Sequence, residues 1–521
     1  MKKLKFLSAL MCLPMLFTGI ACGETGGTTL EITAQDAGYG IAWIEEVALA
    51  YEEETGVKVD IFDVTTSMVD NELSILQSGK HSSDIIMFST DLYSYAEDGV
   101  ILEITDSVFK KTPYGEEEGG KTIAELCEYN DAMKLNGTDH YYFMPFANAV
   151  VGLLYNETTL DAVFGANNWK VPNTTDELMK ILDDIKNDTN QKAYGFSSTS
   201  DYMNTLAPVW WAQYDGYDKF FDYWRGYENG AFCETDPTFA KTQGRLEALK
   251  ALEAIIKQSN GYMHANQSTF FDSNFFADGQ RTFLGKGYSR DKKLVAFYPC
   301  GDWFENESGS DFQGQSIKMM RVPVISSIKD TFVSATDKAM SDSKLSEIIS
   351  KIDAELPYSE SEYGCAESTY NRVYEARGFV TNYGIQQQAF IPENTEYPEE
   401  AADFLRFMVS EQAQAIFSKN MNGLRMPYGY DVSANSEITL SPFAQSVLDC
   451  ISTPNFKSIY RDVTKPLTNR AGLAAYTTNN NNYHEALFYA THDANGVWEG
   501  TYQSLKLDWT KYKTEAGLLG N

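Results

Sequence analysis

A chain of 521 residues with 73 Asp and Glu against 42 Lys and Arg carries a formal charge of −31. That balance argues against a nucleic-acid binder, which needs a basic face for phosphates, and against a protein held on anionic lipid by charge. The length exceeds what one hydrophobic core can hold and predicts two or more domains, while seven scattered cysteines with no CxxC pair predict no disulfide framework.

In chain order, Met1-Lys2-Lys3-Leu4-Lys5 is a positive start, Phe6 to Ile20 is almost wholly apolar, and Ala21-Cys22-Gly23 follows. This is the layout of a signal peptide over residues 1–21, too short for a comfortable spanning helix. A cysteine directly after the small residue predicts lipidation at Cys22, although Gly19 stands where such sites usually carry Leu. The alternative is ordinary cleavage with a stray thiol. Residues 22–29 form the lipidated cysteine and a Gly/Thr-rich flexible tether. The body is expected to be exported and anchored only through that lipid.

The next hundred residues alternate strand and helix. Leu30 to Ala34 and Val57 to Ile61 alternate as strands, and Ile85 to Phe88 is a continuous apolar run of a buried parallel strand. Between them, Ile44, Val47, Ala48 and Tyr51 mark a helix stopped by Gly56, and Leu73 and Leu76 mark another ending at Gly79. Such succession predicts an α/β fold with a sheet covered on both faces. A second set begins near Val150, with a strand at 152–155 and a capping-box pattern, Thr174 to Glu177, opening a helix that carries Leu178, Ile181, Leu182 and Ile185. Another buried strand runs from Leu294 to Tyr298, and Pro398-Glu399-Glu400 starts a helix. Residues 326–376 read as an insertion, and Asp493 to Glu499 and the asparagine run at 479–482 as loops.

Several phrases in this order resemble the family 1 extracellular solute-binding proteins. They are Ile32 to Asp36 with the helix end Tyr51 to Val59; Asp84 to Asp91; Pro145-Phe146-Ala147 through Leu154-Tyr155-Asn156; Gly301-Asp302-Trp303; Ile391-Pro392 with Glu399 to Leu405; and Gly423 to Pro427. Each is weak alone, but six in order over residues 30–430 are specific together. The nearest likeness is to maltose-binding-type sugar receptors. The resemblance implies a two-lobe periplasmic-binding-protein-like fold (type II) with the ligand in the cleft between lobes. Lobe 1 would comprise 30–147 plus 378–432, and lobe 2 148–377 plus 433–521. It further implies a monomer without cofactor that closes on a carbohydrate and delivers it to the permease subunits of an ABC importer.

A sugar presents hydroxyls and flat C–H faces, which carboxylates, amides and aromatic rings complement. Candidate ligand-binding residues are those at strand ends. Asp36 and Tyr39 follow the first strand, Asp36 being either a ligand contact or a helix N-cap. Phe88, Thr90 and Asp91 follow the third, and Phe88 stands where sugar-binding relatives place Trp. Asn148 stands near the position of a carboxylate in the maltose-binding relative, which argues against maltose. Tyr202 and Asn204 lie where a strand gives way to a helix. Of the neighbours Trp210 and Trp211, which diverge by about 100° on a helix, Trp210 is retained. Asp302 and Trp303 form the post-strand turn, with Trp303 the foremost candidate. Gln386, Gln387 and Arg425 are implied by the resemblance.

There is no G-x-S-x-G, H-E-x-x-H or P-loop, and the five histidines form no ligand-spaced cluster, so neither catalysis nor a metal is expected. The alternatives to a sugar receptor are a receptor for a polyamine or another small solute, or an exported glycan-active enzyme or adhesin on the same scaffold.

Overall fold

The computed structural model describes residues 28–519 other than 118, 136, 191, 272–275, 288–292, 475–476 and 479–480. The leader over 1–21, Cys22, and Asn479 and Asn480 of the asparagine run lie outside the described residues.

Two sheets organise the molecule. In the first, β1 (Thr29–Asp36) pairs in parallel with β2 (Lys58–Thr65) and β3 (Ile85–Ser89). The alternation of the sequence appears directly, with Leu30, Ile32 and Ala34 of β1 buried. The intervening helix Ala42–Thr55 turns Trp43, Ile44, Val47, Ala48 and Tyr51 inward. It ends at Gly56, whose φ of 78° suits glycine and whose N–H caps the Glu52 carbonyl. A short strand β4 (Met144–Pro145) completes the far edge through a strand from much later in the chain.

The second sheet is built on β5 (Val150–Asn156), buried along its whole length. Strand β6 (Ala193–Phe196) pairs in parallel with β7 (Leu294–Gly301), which is antiparallel to β5. On the other side of β5 lie β8 (Ile317–Met320) and β9 (Phe379–Asn382), both antiparallel to it. Strand β10 (Gln387–Phe390) then returns to the first sheet between β3 and β4, and β11 (Lys457–Ile459) joins the second in parallel with β9. The sheet orders are therefore β2-β1-β3-β10-β4 and β11-β9-β5-β7-β6.

This topology defines two lobes and the segments that cross between them. The first crossing lies between Pro145 and Val150. The second lies between Asn382 and Gln387, so the stretch 378–382, which the sequence puts in lobe 1, is hydrogen-bonded into lobe 2. A third follows Tyr428, whose hydroxyl bonds the Pro145 carbonyl, and reaches Ser441, whose hydroxyl bonds Glu305 of lobe 2. The first two crossings touch: the Tyr383 N–H donates to the Ala149 carbonyl at 3.0 Å. A Cβ on Gly384 would lie 2.5 Å from the Tyr129 ring and 2.8 Å from the Asn148 carbonyl, so only glycine allows this approach. Ala149 is buried with φ 47°, a left-handed conformation that costs an alanine about 1 kcal/mol.

The stretch 326–376, read as an insertion within lobe 2, packs into that lobe's core: helix Asp342–Asp353 buries Leu345, Ile348 and Ile349, and helix Glu367–Gly378 buries Val373 and Ala376. Two other expectations change. Asp493 begins the 22-residue helix Ala494–Glu515 rather than a loop, its carboxylate accepting the Gly496 N–H at 2.7 Å as an N-cap. Thr174 caps helix Thr175–Lys186 by accepting the Glu177 N–H, but the Glu177 carboxylate reaches the Asn173 N–H at 2.7 Å instead of closing the box. Among the described residues no helix is long and apolar enough to cross a membrane.

Candidate functional site

The carboxyl ends of β1 and β3 face those of β7 and β11 across the crossing segments, and this is where the candidate residues separate into groups. After β7 the chain turns sharply, and the Asp302 N–H continues the ladder to the Val150 carbonyl at 2.9 Å. The Asp302 side chain is buried. Its Oδ2 accepts the Val150 N–H at 3.2 Å and its Oδ1 accepts the Tyr39 hydroxyl at 2.5 Å. Tyr39 belongs to the turn after β1, so this bond joins the two lobes. The same hydroxyl oxygen accepts the Ala149 N–H at 3.0 Å. Burial pushes the Asp302 carboxyl up to about 7, against the pull of Tyr39 and the backbone N–H groups. Burial also raises the Tyr39 hydroxyl well above its ordinary value, so it remains the donor.

Trp303 is half-buried beside this junction. Its indole meets the Tyr39 ring edge-on at 6.1 Å and lies 6.2 Å from the Tyr202 ring, and its Nε1–H donates to the Tyr202 hydroxyl at 3.2 Å. It rests on Gly38 of lobe 1, where a Cβ would come within 2.6 Å of the indole, so the absent side chain is what lets tryptophan and lobe 1 meet. Asn306, one turn on, donates to the Gly38 carbonyl at 2.8 Å.

The lobe 1 wall is polar. Gln35 accepts the Ser89 N–H at 2.8 Å and donates to the Thr66 hydroxyl at 3.0 Å, linking the ends of β1, β2 and β3. Gln387 donates to the Ser89 hydroxyl at 2.8 Å. A small cavity at these strand ends is lined by Gln35, Tyr39, Trp43, Ser89, Phe146 and Gln387. Asp36 is exposed on the rim; the N-cap of the following helix is Ile41, so the capping alternative for Asp36 does not hold. Thr90 is half-buried, with its N–H on the Gln386 carbonyl at 2.9 Å. Asp91 is also half-buried and accepts the Tyr93 N–H at 3.4 Å. Burial raises its carboxyl to about 6, while Tyr93 and the positive field of Arg461 pull it down.

Other candidates have structural roles. Phe88 is fully buried and packs on Phe390 at 6.5 Å; the side chain that β3 offers at its end is the next one, Ser89. Trp210 is fully buried with its indole N–H on the Pro323 carbonyl at 3.1 Å, and Trp211 is equally enclosed. The helix Leu206–Asp215 is covered on all sides, so the choice between adjacent tryptophans does not arise. Asn148 is buried at the crossing, accepting the Tyr129 hydroxyl at 2.5 Å and donating to the Arg425 carbonyl at 2.8 Å. The Arg425 guanidinium is paired with Glu128. Asn204 shares a hydrogen bond of 3.1 Å with the His484 ring.

Sequence reasoning passed over Gln35, Ser89 and Asn306, although each lies within three residues of a named candidate at a strand end. It had no signal for Tyr460, which follows β11 and packs against both hydrophobic clusters, or for exposed Arg461 beside it.

A family model described as "Bacterial extracellular solute-binding protein" matches residues 46–345, more than half of the chain. The diacetylchitobiose binding protein NgcE of Streptomyces coelicolor is 25% identical over 311 residues. That match covers 57% of this chain and 58% of NgcE, less than two thirds of the relative's length. Among solved structures, apo RafE from Streptococcus pneumoniae superposes with a TM-score of 0.57 at 14% identity, covering 94% of this chain and all of RafE. RafE has also been solved with raffinose. Lmo0181 from Listeria monocytogenes, an ABC substrate-binding protein in complex with cycloalternan, gives 0.55 at 13% identity over 93% of this chain and 99% of its own. These likenesses show that the two-sheet, three-crossing architecture is the type II binding-protein fold. The chain belongs to the bacterial extracellular solute-binding proteins.

Proposed function

We propose that the protein captures an oligosaccharide by lobe closure and hands it to the permease subunits of an ABC importer. The observation that carries this reading is Trp303, a half-buried indole at the lobe junction with Tyr202 beside it. On the lobe 1 side, the ends of β1, β3 and β10 carry the amides and carboxylates Gln35, Asp36, Asp91 and Gln387. An aromatic face opposite bidentate acceptors and donors is the chemistry a pyranose requires. Diacetylchitobiose, raffinose and cycloalternan, named for the relatives, support the class. Calorimetry and thermal unfolding with these three saccharides and with spermidine test it. At least one saccharide is expected to raise the melting temperature by several degrees at a hundredfold excess over Kd, equivalent to about 2.7 kcal/mol, with the sugar recovered intact. A rise with spermidine alone, or conversion of any sugar, would overturn the reading.

The same reading includes an anchor. With Cys22 acylated, the Gly/Thr-rich segment before β1 would hold the two lobes close to the outer membrane face. Cys22→Ser is expected to move the protein from the membrane fraction into the soluble exported fraction, and unchanged membrane retention would rule the lipid out.

A further inference from the structure

Tyr39 entered as a ligand contact, but its only polar atom is already engaged at a place where both lobes and the crossings meet. The side chain comes from lobe 1 and donates to Asp302 of lobe 2. Its oxygen receives the N–H of Ala149, a buried non-glycine residue in the left-handed region. The carbonyl of that same Ala149 receives the Tyr383 N–H of the second crossing. Asp302 is itself bound to the start of β5, its N–H on the Val150 carbonyl and its Oδ2 under the Val150 N–H, so Val150 and Asp302 move as one piece of lobe 2.

Rotation of lobe 2 about the crossings must alter the backbone around Ala149 and carry Asp302 with β5, while Tyr39 stays with β1. The Tyr39–Asp302 bond therefore exists over a narrow range of lobe angles. The Gly38 contacts with Trp303 and Asn306 lie on the same side and share that range.

We propose that Tyr39 is a positioning residue: its hydroxyl, bonded to Asp302 across the junction, holds the two lobes at one angle and so sets how readily they part, and with it affinity, without touching ligand. A binding-competent arrangement populated in advance raises apparent affinity by the fraction populated. This rests on the reading that closure captures the ligand, so the test has one arm that needs no ligand. Solution scattering of the unliganded mature chain is expected to give a larger radius of gyration for Tyr39→Phe and for Asp302→Ala. Asp302→Asn keeps an oxygen for the Tyr39 hydroxyl but turns its NH2 toward the Val150 N–H, so its radius should lie nearer the wild-type value than that of Asp302→Ala. In the second arm, dissociation of diacetylchitobiose is expected to be about tenfold faster from Tyr39→Phe, the loss of one hydrogen bond to a carboxylate. A wild-type protein that ignores diacetylchitobiose counts against that sugar as ligand but leaves the scattering arm decisive. If Tyr39→Phe and Asp302→Ala lower the melting temperature while scattering stays at wild type, the tyrosine is merely structural and the lock is refuted. Should Tyr39→Phe fail to fold, Asp302→Ala reads the same bond from lobe 2.

Discussion

Trp210→Ala is expected to cost lobe 2 about 3–5 kcal/mol, while Trp303→Ala should cost no more than about half as much and abolish most of the binding. Trp210 is fully enclosed, and its truncation would leave both a large cavity and an unpaired Pro323 carbonyl in helix-packed surroundings. Trp303 is half-buried, and the rings beside it, Tyr39 and Tyr202, retain other contacts when it is removed. Trp303→Ala removes the part of the indole left uncovered at the junction, and stacking on a sugar ring would depend on that part. Calorimetric unfolding of the two variants, with titration of the saccharide found for the parent, separates the roles. Expected are a large fall in melting temperature with binding retained in the folded fraction for Trp210→Ala, and the opposite for Trp303→Ala. Equal destabilisation by both would place Trp303 in the core and remove it from the site.

The same pair shows what the sequence could and could not tell. Apolar periodicity marks β1 and the helix ending at Gly56, which each bury one face, while β3 is legible as a continuous apolar run because it is buried on both faces. It could not rank Trp210 against Trp303, because helix Leu206–Asp215 is apolar all round and gives no exposed face to read. Position at a strand end was the better guide, but it is sensitive to a single residue. In β3, four consecutive side chains are buried before Ser89 emerges, so Phe88 belongs to the core although it immediately precedes the wall. Tyr39 and Asp302 stand out in the sequence as polar groups at strand ends, where they are expected to contact ligand, and in the structure they meet each other. Their distance of 263 residues in sequence hides that pairing. The tail after 435 gave no recognisable phrase, and its contribution through β11 and Tyr460 depends on a parallel pairing that only the assembled sheet reveals.

Raising the pH from 5 to 8 is expected to lower folding stability through Asp302, and Asp302→Asn should remove most of that loss. The carboxyl of Asp302 is held near 7 by burial against an ordinary value of 3.8. For an acid whose folded value is raised, the folded form keeps a proton that the unfolded chain gives up, so stability is fullest below about 4. It declines as pH climbs toward 7 and levels off once both forms are ionised. Three units correspond to about 4 kcal/mol at most, of which water entering the junction would relieve a part. Asp91, raised to about 6, and Glu305 and Glu307, pushed up by burial, act in the same direction. Buried His484, lowered to about 4, and His81, also lowered by burial, act in the opposite one. Their neutral forms are favoured by folding, so they remove stability as pH falls below 6.5. Total stability is therefore the sum of two opposed slopes below 6.5, and the parent's profile alone does not isolate the junction. The difference between parent and Asp302→Asn does, because every other group cancels. In urea unfolding at pH 5, 6, 7 and 8 the variant should gain on the parent steadily up to pH 7 and then run parallel to it. Profiles that run parallel throughout would mean that Asp302 is already ionised at pH 5, with its charge held by the Tyr39 hydroxyl and the Val150 N–H rather than suppressed by burial.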